Sequence, residues 1–177
     1  MGVARRRPGL LYAVAAGVLL LDRITKTWVE HSLAGRPPIR VIPGVLSLTY
    51  TTNSGGAFGL GRSAPWLFAG ATIVVTVVIV VFSFRPMRPT VAVALGLILG
   101  GALGNLADRA LNGPGFGGPV TDFIDLQVWP IFNLADTAIV IGALLLAFTS
   151  LDGSDEREPA PAPAPAPEAS GPERTDR

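Results

Sequence analysis

A chain of 177 residues that is 49% hydrophobic and only 15% charged, with a mean hydropathy of +0.48, is too apolar for an ordinary soluble domain, where about a quarter of residues carry charge. A net charge of +1 excludes the dense basic face of a nucleic-acid binder. The absence of cysteine excludes thiol catalysis and thiolate metal sites, and a single histidine, His31, rules out a zinc site built on several histidines.

Four segments are apolar over roughly the 20 residues that a bilayer requires, at about 9–29, 64–84, 90–107 and 131–150. They predict an all-α membrane protein with four transmembrane helices within residues 1–150. Arg5, Arg6 and Arg7 before the first segment resemble the start of a cleaved signal peptide. Asp22, Arg23 and Lys26 interrupt its apolar core, however, and no small-residue cleavage site follows, so the segment is read as a retained helix. Asp22 and Lys26 are four apart and share a helical face. They form either an internal ion pair that snorkels to the interface or a support for groups of a site; in both cases Asp22 faces the bundle.

The connection at about 38–61 alternates β-branched or aromatic residues with polar ones and is broken by Pro43-Gly44 and Gly55-Gly56. That pattern predicts a small β-rich subdomain between spans 1 and 2, lying on the membrane surface. Asn53 within it is an ordinary turn asparagine or an amide that holds a peptide backbone.

Span 3 carries Gly96, Gly100, Gly101 and Gly104, which let helices, or an incoming substrate segment, approach closely. Asn105, Asp108 and Arg109 follow within about one turn. Arg109 could clamp Asp108 or hold a substrate carbonyl or lipid phosphate. Asp122 follows the Gly/Pro-rich turn before it, and Asp125, three residues on, reads as a solvated loop carboxylate. Asn133 and Asp136 open span 4. The tail 151–177 is charged, Pro/Ala-repetitive and nearly free of apolar bulk, which predicts disorder.

Basic residues set the expected orientation. Arg5, Arg6, Arg7, Arg85 and Arg88 mark one side as cytoplasmic, giving N-in and C-in ends, although Arg36, Arg40 and Arg62 fall on the outer side. Asp122 and Asp136 then lie near the outer interface. If they meet, they cannot both ionise; they share a proton, and one activates water while the other protonates the carbonyl or leaving amine. Taken alone, Asp136 reads better as a helix N-terminal aspartate favoured by the dipole; together with the other polar residues it does not. A proton or ion conduit would spread its carboxylates through the membrane depth, and a non-catalytic scaffold would not need converging Asp, Asn and Arg.

The motifs DRITK at 22–26, NSGGAFG at 53–59, GGALGNLADR at 100–109, VTDFID at 120–125 and FNLADTAI at 132–139, in that order, resemble those of the lipoprotein signal peptidases (signal peptidase II), across about residues 10–150. The resemblance implies an aspartic endopeptidase of the bacterial cytoplasmic membrane, multi-pass, with its active site at the outer face. Its substrates would be diacylglyceryl-modified prolipoproteins, cut just before the modified cysteine among membrane lipids, without metal or other cofactor, and its inhibitor the cyclic peptide globomycin. It assigns catalysis to Asp122 and Asp136, substrate contacts to Asn53, Asn105, Arg109 and Asn133, and support to Asp22, Lys26 and Asp108. Thr121 stands where the family often has valine, which reads as a conservative exchange. The interval of 14 residues between Asp122 and Asp136 is shorter than in some members, which implies a smaller lid.

Overall fold

The computed structural model describes residues 5–55 and 65–151. The motif residues 56–59, Arg62 and the predicted tail from residue 152 lie outside them. Four helices dominate: α1 (Pro8–Leu33), α2 (Pro65–Ser83), α3 (Pro89–Leu111) and α4 (Leu134–Leu151). A proline opens α1 and α3, where its missing N–H would have had no helical partner.

By length and composition α1, α2 and α3 are able to cross a membrane, while α4 is apolar but shorter. Among the described residues three helices thus qualify as candidate spans, beside the four that hydropathy predicted. The cause is local. The segment expected to begin at 131 is extended through its first residues, and Phe132 forms an antiparallel bridge with Ile124. Its N–H donates to the Ile124 carbonyl at 3.1 Å, and its carbonyl accepts from the N–H groups of Phe123 and Ile124. The helix therefore starts only at Leu134.

Among the described residues five strands complete the fold: β1 (Arg5–Arg6), β2 (Ile39–Ile42), β3 (Leu46–Asn53), β4 (Pro86–Met87) and β5 (Val120–Asp125). β1 pairs with β4, bringing the N-terminal segment and the α2–α3 link to one end of the bundle. At the other end β2, β3 and β5 form an antiparallel sheet in that order. The predicted subdomain between spans 1 and 2 is therefore corrected: its third strand comes from the α3–α4 connection. β2 and β3 form a hairpin through a turn that needs Gly44 at φ +76°. The hairpin leaves the far edge of β3 with unpaired backbone groups. β5 covers that edge, with Thr51 opposite Asp122 and Asn53 opposite Val120.

α3 is the central post. A Cβ on Gly96 would stand 2.7 Å from the Leu11 carbonyl oxygen, on Gly100 2.6 Å from that of Ala15, and on Gly104 2.5 Å from an Asp22 carboxylate oxygen. On Gly101 it would collide with the Ala135 carbonyl of α4. These glycines are filled by α1 and α4, so they do not offer the entry groove for a substrate helix that the sequence allowed. Leu11, Ala15, Ile79, Ala92 and Leu99 form the core beside them. Leu20, Leu21 and Ile24 on α1, Val74 and Val77 on α2, and Leu144 and Phe148 on α4 stay exposed.

Candidate active site

Asp136 owes its place to helix capping. Asn133 is the N-cap of α4: its Oδ1 accepts from the Asp136 N–H at 2.9 Å, and Asp136 Oδ2 accepts from the Asn133 N–H at 3.4 Å. This reciprocal pair satisfies two backbone donors that a helix start leaves orphaned. It also fixes the Asp136 carboxylate at the helix mouth. Asp122 is third in β5, on a strand buried along most of its length.

Three asparagines bind these two carboxylates into one group. Asn133 Nδ2 donates to Asp122 Oδ1 at 2.7 Å, and Asn53 Nδ2 to Asp122 Oδ2 at 3.2 Å. Asn105 Nδ2 donates to Asp136 Oδ1 at 2.8 Å, while Asn105 Oδ1 accepts from Lys26 and Asn133. Every oxygen of the pair has a donor, and among the described residues no cation forms an ion pair with either carboxylate. Both aspartates line a cavity of about 350 Å³, together with Asn53, Asn105 and Arg109. Burial pushes the Asp122 carboxyl up to about 6, and the neighbouring Asp136 carboxylate pushes it the same way; the bonds from Asn133 and Asn53 pull back.

Behind this group lies an ionic cluster whose centre is fully buried and whose edge, Arg23, is partly exposed. Lys26 Nζ sits 2.9 Å from Asp22 and 2.8 Å from Asp108, all three with no exposed surface, and Arg23 closes on the other oxygen of Asp108. Two acids and two bases balance, the condition under which buried charges are tolerated. Asp22 does face the bundle, but the reading of a snorkelling pair is corrected: its Oδ1 accepts from the Ala135 N–H of α4 at 3.0 Å, and Lys26 reaches across to α3. Asp108 also accepts from the Thr121 N–H at 3.1 Å.

Arg109 does not clamp Asp108. Its Nη2 donates to the Gly55 carbonyl at 2.9 Å and its Nη1 to the Gly118 carbonyl at 3.3 Å, so it ties the segment after β3 to the one before β5. The reason is helical phase. Asn105 and Arg109, four apart, share the cavity face, whereas Asp108 points back to α1. Asp125 is corrected from a loop residue to the last residue of β5, where it accepts from the Gln127 backbone N–H at 2.8 Å and so shapes the turn. His31 bonds locally to the Thr27 carbonyl. Among the described residues, no three His, Cys, Asp or Glu side chains are grouped so as to hold a metal ion.

The sequence gives no site role to Arg23, which it shows only as a charge interrupting the first segment, nor to Glu30, Phe68, Thr72 and Trp129. Phe68, Thr72 and Trp129 line the cavity without any motif to announce them. Glu30 did have a signal: with Asp22 and Lys26 it continues a stripe at every fourth position of α1.

Residues 14–152 match the family described as signal peptidase (SPase) II. A protein of Pelotomaculum thermopropionicum named lipoprotein signal peptidase is 45% identical over 148 residues, covering 82% of this chain and 94% of its own. One of the same name from Syntrophomonas wolfei subsp. wolfei is 48% identical over 145 residues, covering 81% and 94%. A solved structure described as a bacterial membrane enzyme, determined by the in meso method at 2.3 Å, superposes with a TM-score of 0.76 at 30% identity, covering 90% of this chain and 99% of that one.

Proposed function

The chain belongs to the signal peptidase II family of signal-peptide-cleaving membrane peptidases, and on that premise we propose that Asp122 and Asp136 are its catalytic pair, in an aspartic endopeptidase acting on prolipoproteins. The observation that carries this reading is Asn133, whose backbone and side chain hold both carboxylates at the wall of one cavity. A pair so placed, with Asp122 pushed up to about 6 by burial and by Asp136, is suited to share one proton and titrates as a unit.

The chemistry then runs without a covalent enzyme intermediate. The ionised carboxylate takes a proton from water as the water oxygen bonds to the scissile carbonyl carbon. The protonated partner gives its proton to the carbonyl oxygen, forming a gem-diol. Collapse of the gem-diol breaks the C–N bond: one hydroxyl proton returns to the carboxylate that protonated the carbonyl oxygen, and the carboxyl that took the water proton delivers it to the leaving amine. Asn53, Asn105 and Asn133 keep the pair aligned, and Arg109 shapes the rim that receives the peptide backbone.

The substrate we propose is a prolipoprotein whose cysteine already carries diacylglycerol, cut immediately before that residue. Its lipid would sit among the exposed apolar side chains while the peptide bond reaches the polar cavity. We further read α4 as a fourth membrane segment and the sheet end as outer. The basic residues Arg7, Arg85 and Arg88 at the other end support N-in and C-in ends. Globomycin is expected to compete for the cavity.

The test is processing by the purified protein of one prolipoprotein with and without diacylglyceryl modification, with product masses measured. The expected outcome is a single cut before the modified cysteine and none in the unmodified protein. Equal cleavage of both, or a cut elsewhere, would overturn the assignment.

A further inference from the structure

The polar stripe of α1 ends in a contact that the catalytic reading leaves unused. Asp22, Lys26 and Glu30 recur at every fourth position, so they stand above one another on one helix face. Each reaches a different element that bears a site residue. Asp22 accepts from Ala135 in α4, next to Asp136. Lys26 bonds Asn105 in α3. Glu30 Oε1 accepts from the Thr121 hydroxyl in β5 at 2.7 Å, next to Asp122.

Thr121 is 1% exposed and is held twice: its backbone N–H by Asp108 from α3 and its hydroxyl by Glu30 from α1. In a strand, adjacent side chains point to opposite faces. Anchoring the hydroxyl of Thr121 on α1 therefore fixes how far Asp122 projects into the cavity. Valine would preserve the shape and the backbone bond to Asp108 but offer Glu30 no donor.

We infer that Glu30 and Thr121 form a positioning pair that sets the depth of Asp122 in the active site, so the threonine at 121 is a working part of this enzyme. The inference rests on the proposed role of Asp122. Neither residue touches the cavity, so their effect reaches catalysis only through the placement of that carboxylate.

Steady-state cleavage of a diacylglyceryl-modified prolipoprotein by the full chain in detergent tests it, with thermal unfolding recorded on each variant. Thr121→Val is expected to lower kcat about tenfold with KM changed less than about twofold, since small misplacements of a catalytic group act on the chemical step. Thr121→Ser, which keeps the hydroxyl, is expected to restore most of the loss. Glu30→Ala should match Thr121→Val, and the double variant should be no worse than either, because both remove one contact. Wild-type kcat in Thr121→Val, losses that multiply in the double variant, or a loss that follows unfolding and is not rescued by serine would each overturn the pair. An Asp122→Asn variant with wild-type activity would instead overturn the underlying site reading.

Discussion

α1 and α2 are two apolar helices of membrane-spanning length built for opposite purposes. α1 buries Asp22 and Lys26 beside Leu11, Ala15 and Val29, and its charged stripe holds α3, α4 and β5 in register. α2 has no charged residue at all; its described buried residues are Ala69, Ile79 and Ser83, and most of its valines are exposed. It adds Phe68 and Thr72 to the cavity wall but anchors neither aspartate. The difference separates what a membrane helix needs in order to span from what it needs in order to organise a site. Spanning needs only apolar surface. Organising requires buried charges, which are stable only when every one is paired.

The sharpest way to break this contrast is Lys26→Met. It strands Asp22 without a cation and leaves Asp108 with Arg23 alone, and breaking a buried ion pair costs roughly 3–5 kcal/mol. Thermal unfolding in detergent should show a large loss, with cleavage abolished.

The next effect is pH-dependent. The folded Asp122 carboxyl, pushed up to about 6, binds its proton more tightly than the unfolded one does, at an ordinary value near 4. Stability from this group is therefore fully present at low pH and is lost as pH rises from about 4 to about 6, by on the order of 2–3 kcal/mol. Subtracting the pH–stability curve of Asp122→Asn from that of the wild type should expose that slope.

Gly101→Ala is expected to cost about 1–3 kcal/mol through overpacking, since the new Cβ meets the backbone of Ala135. Because α4 carries Asp136, activity should fall further than stability, as kcat measured at a temperature where the variant is folded will reveal. On α2 the expectation reverses. Val77→Leu, at a half-exposed position, should shift unfolding by no more than about 0.5 kcal/mol and leave cleavage at the wild-type rate.

Much of this was legible in the chain because it depends on local pattern. Apolar runs placed α1, α2 and α3, and the alternation at 39–53 announced β2 and β3. Asp22, Lys26, Asp108, Asp122 and Asp136 were conspicuous because charges are costly next to apolar segments. What the sequence hid is pairing across the fold. Nothing local says that β5 joins β3, that Arg23 and not Arg109 meets Asp108, or that Phe132 bridges Ile124 and delays α4. The glycines of α3 were equally ambiguous, since a small residue reveals that something comes close but not what. Thr121 shows the same limit on a smaller scale: its exchange for valine looks conservative until Glu30 is seen across from the hydroxyl.

The claim that most needs testing is that Asp122 and Asp136 act as one unit. Single-turnover cleavage of a diacylglyceryl-modified prolipoprotein should be measured for Asp122→Asn, Asp136→Asn and the double variant, each shown to be folded. Each single variant is expected to lose at least about a thousandfold, with no further loss in the double, as for groups that function together. Wild-type cleavage by either single variant, or losses that multiply in the double, would contradict the pairing.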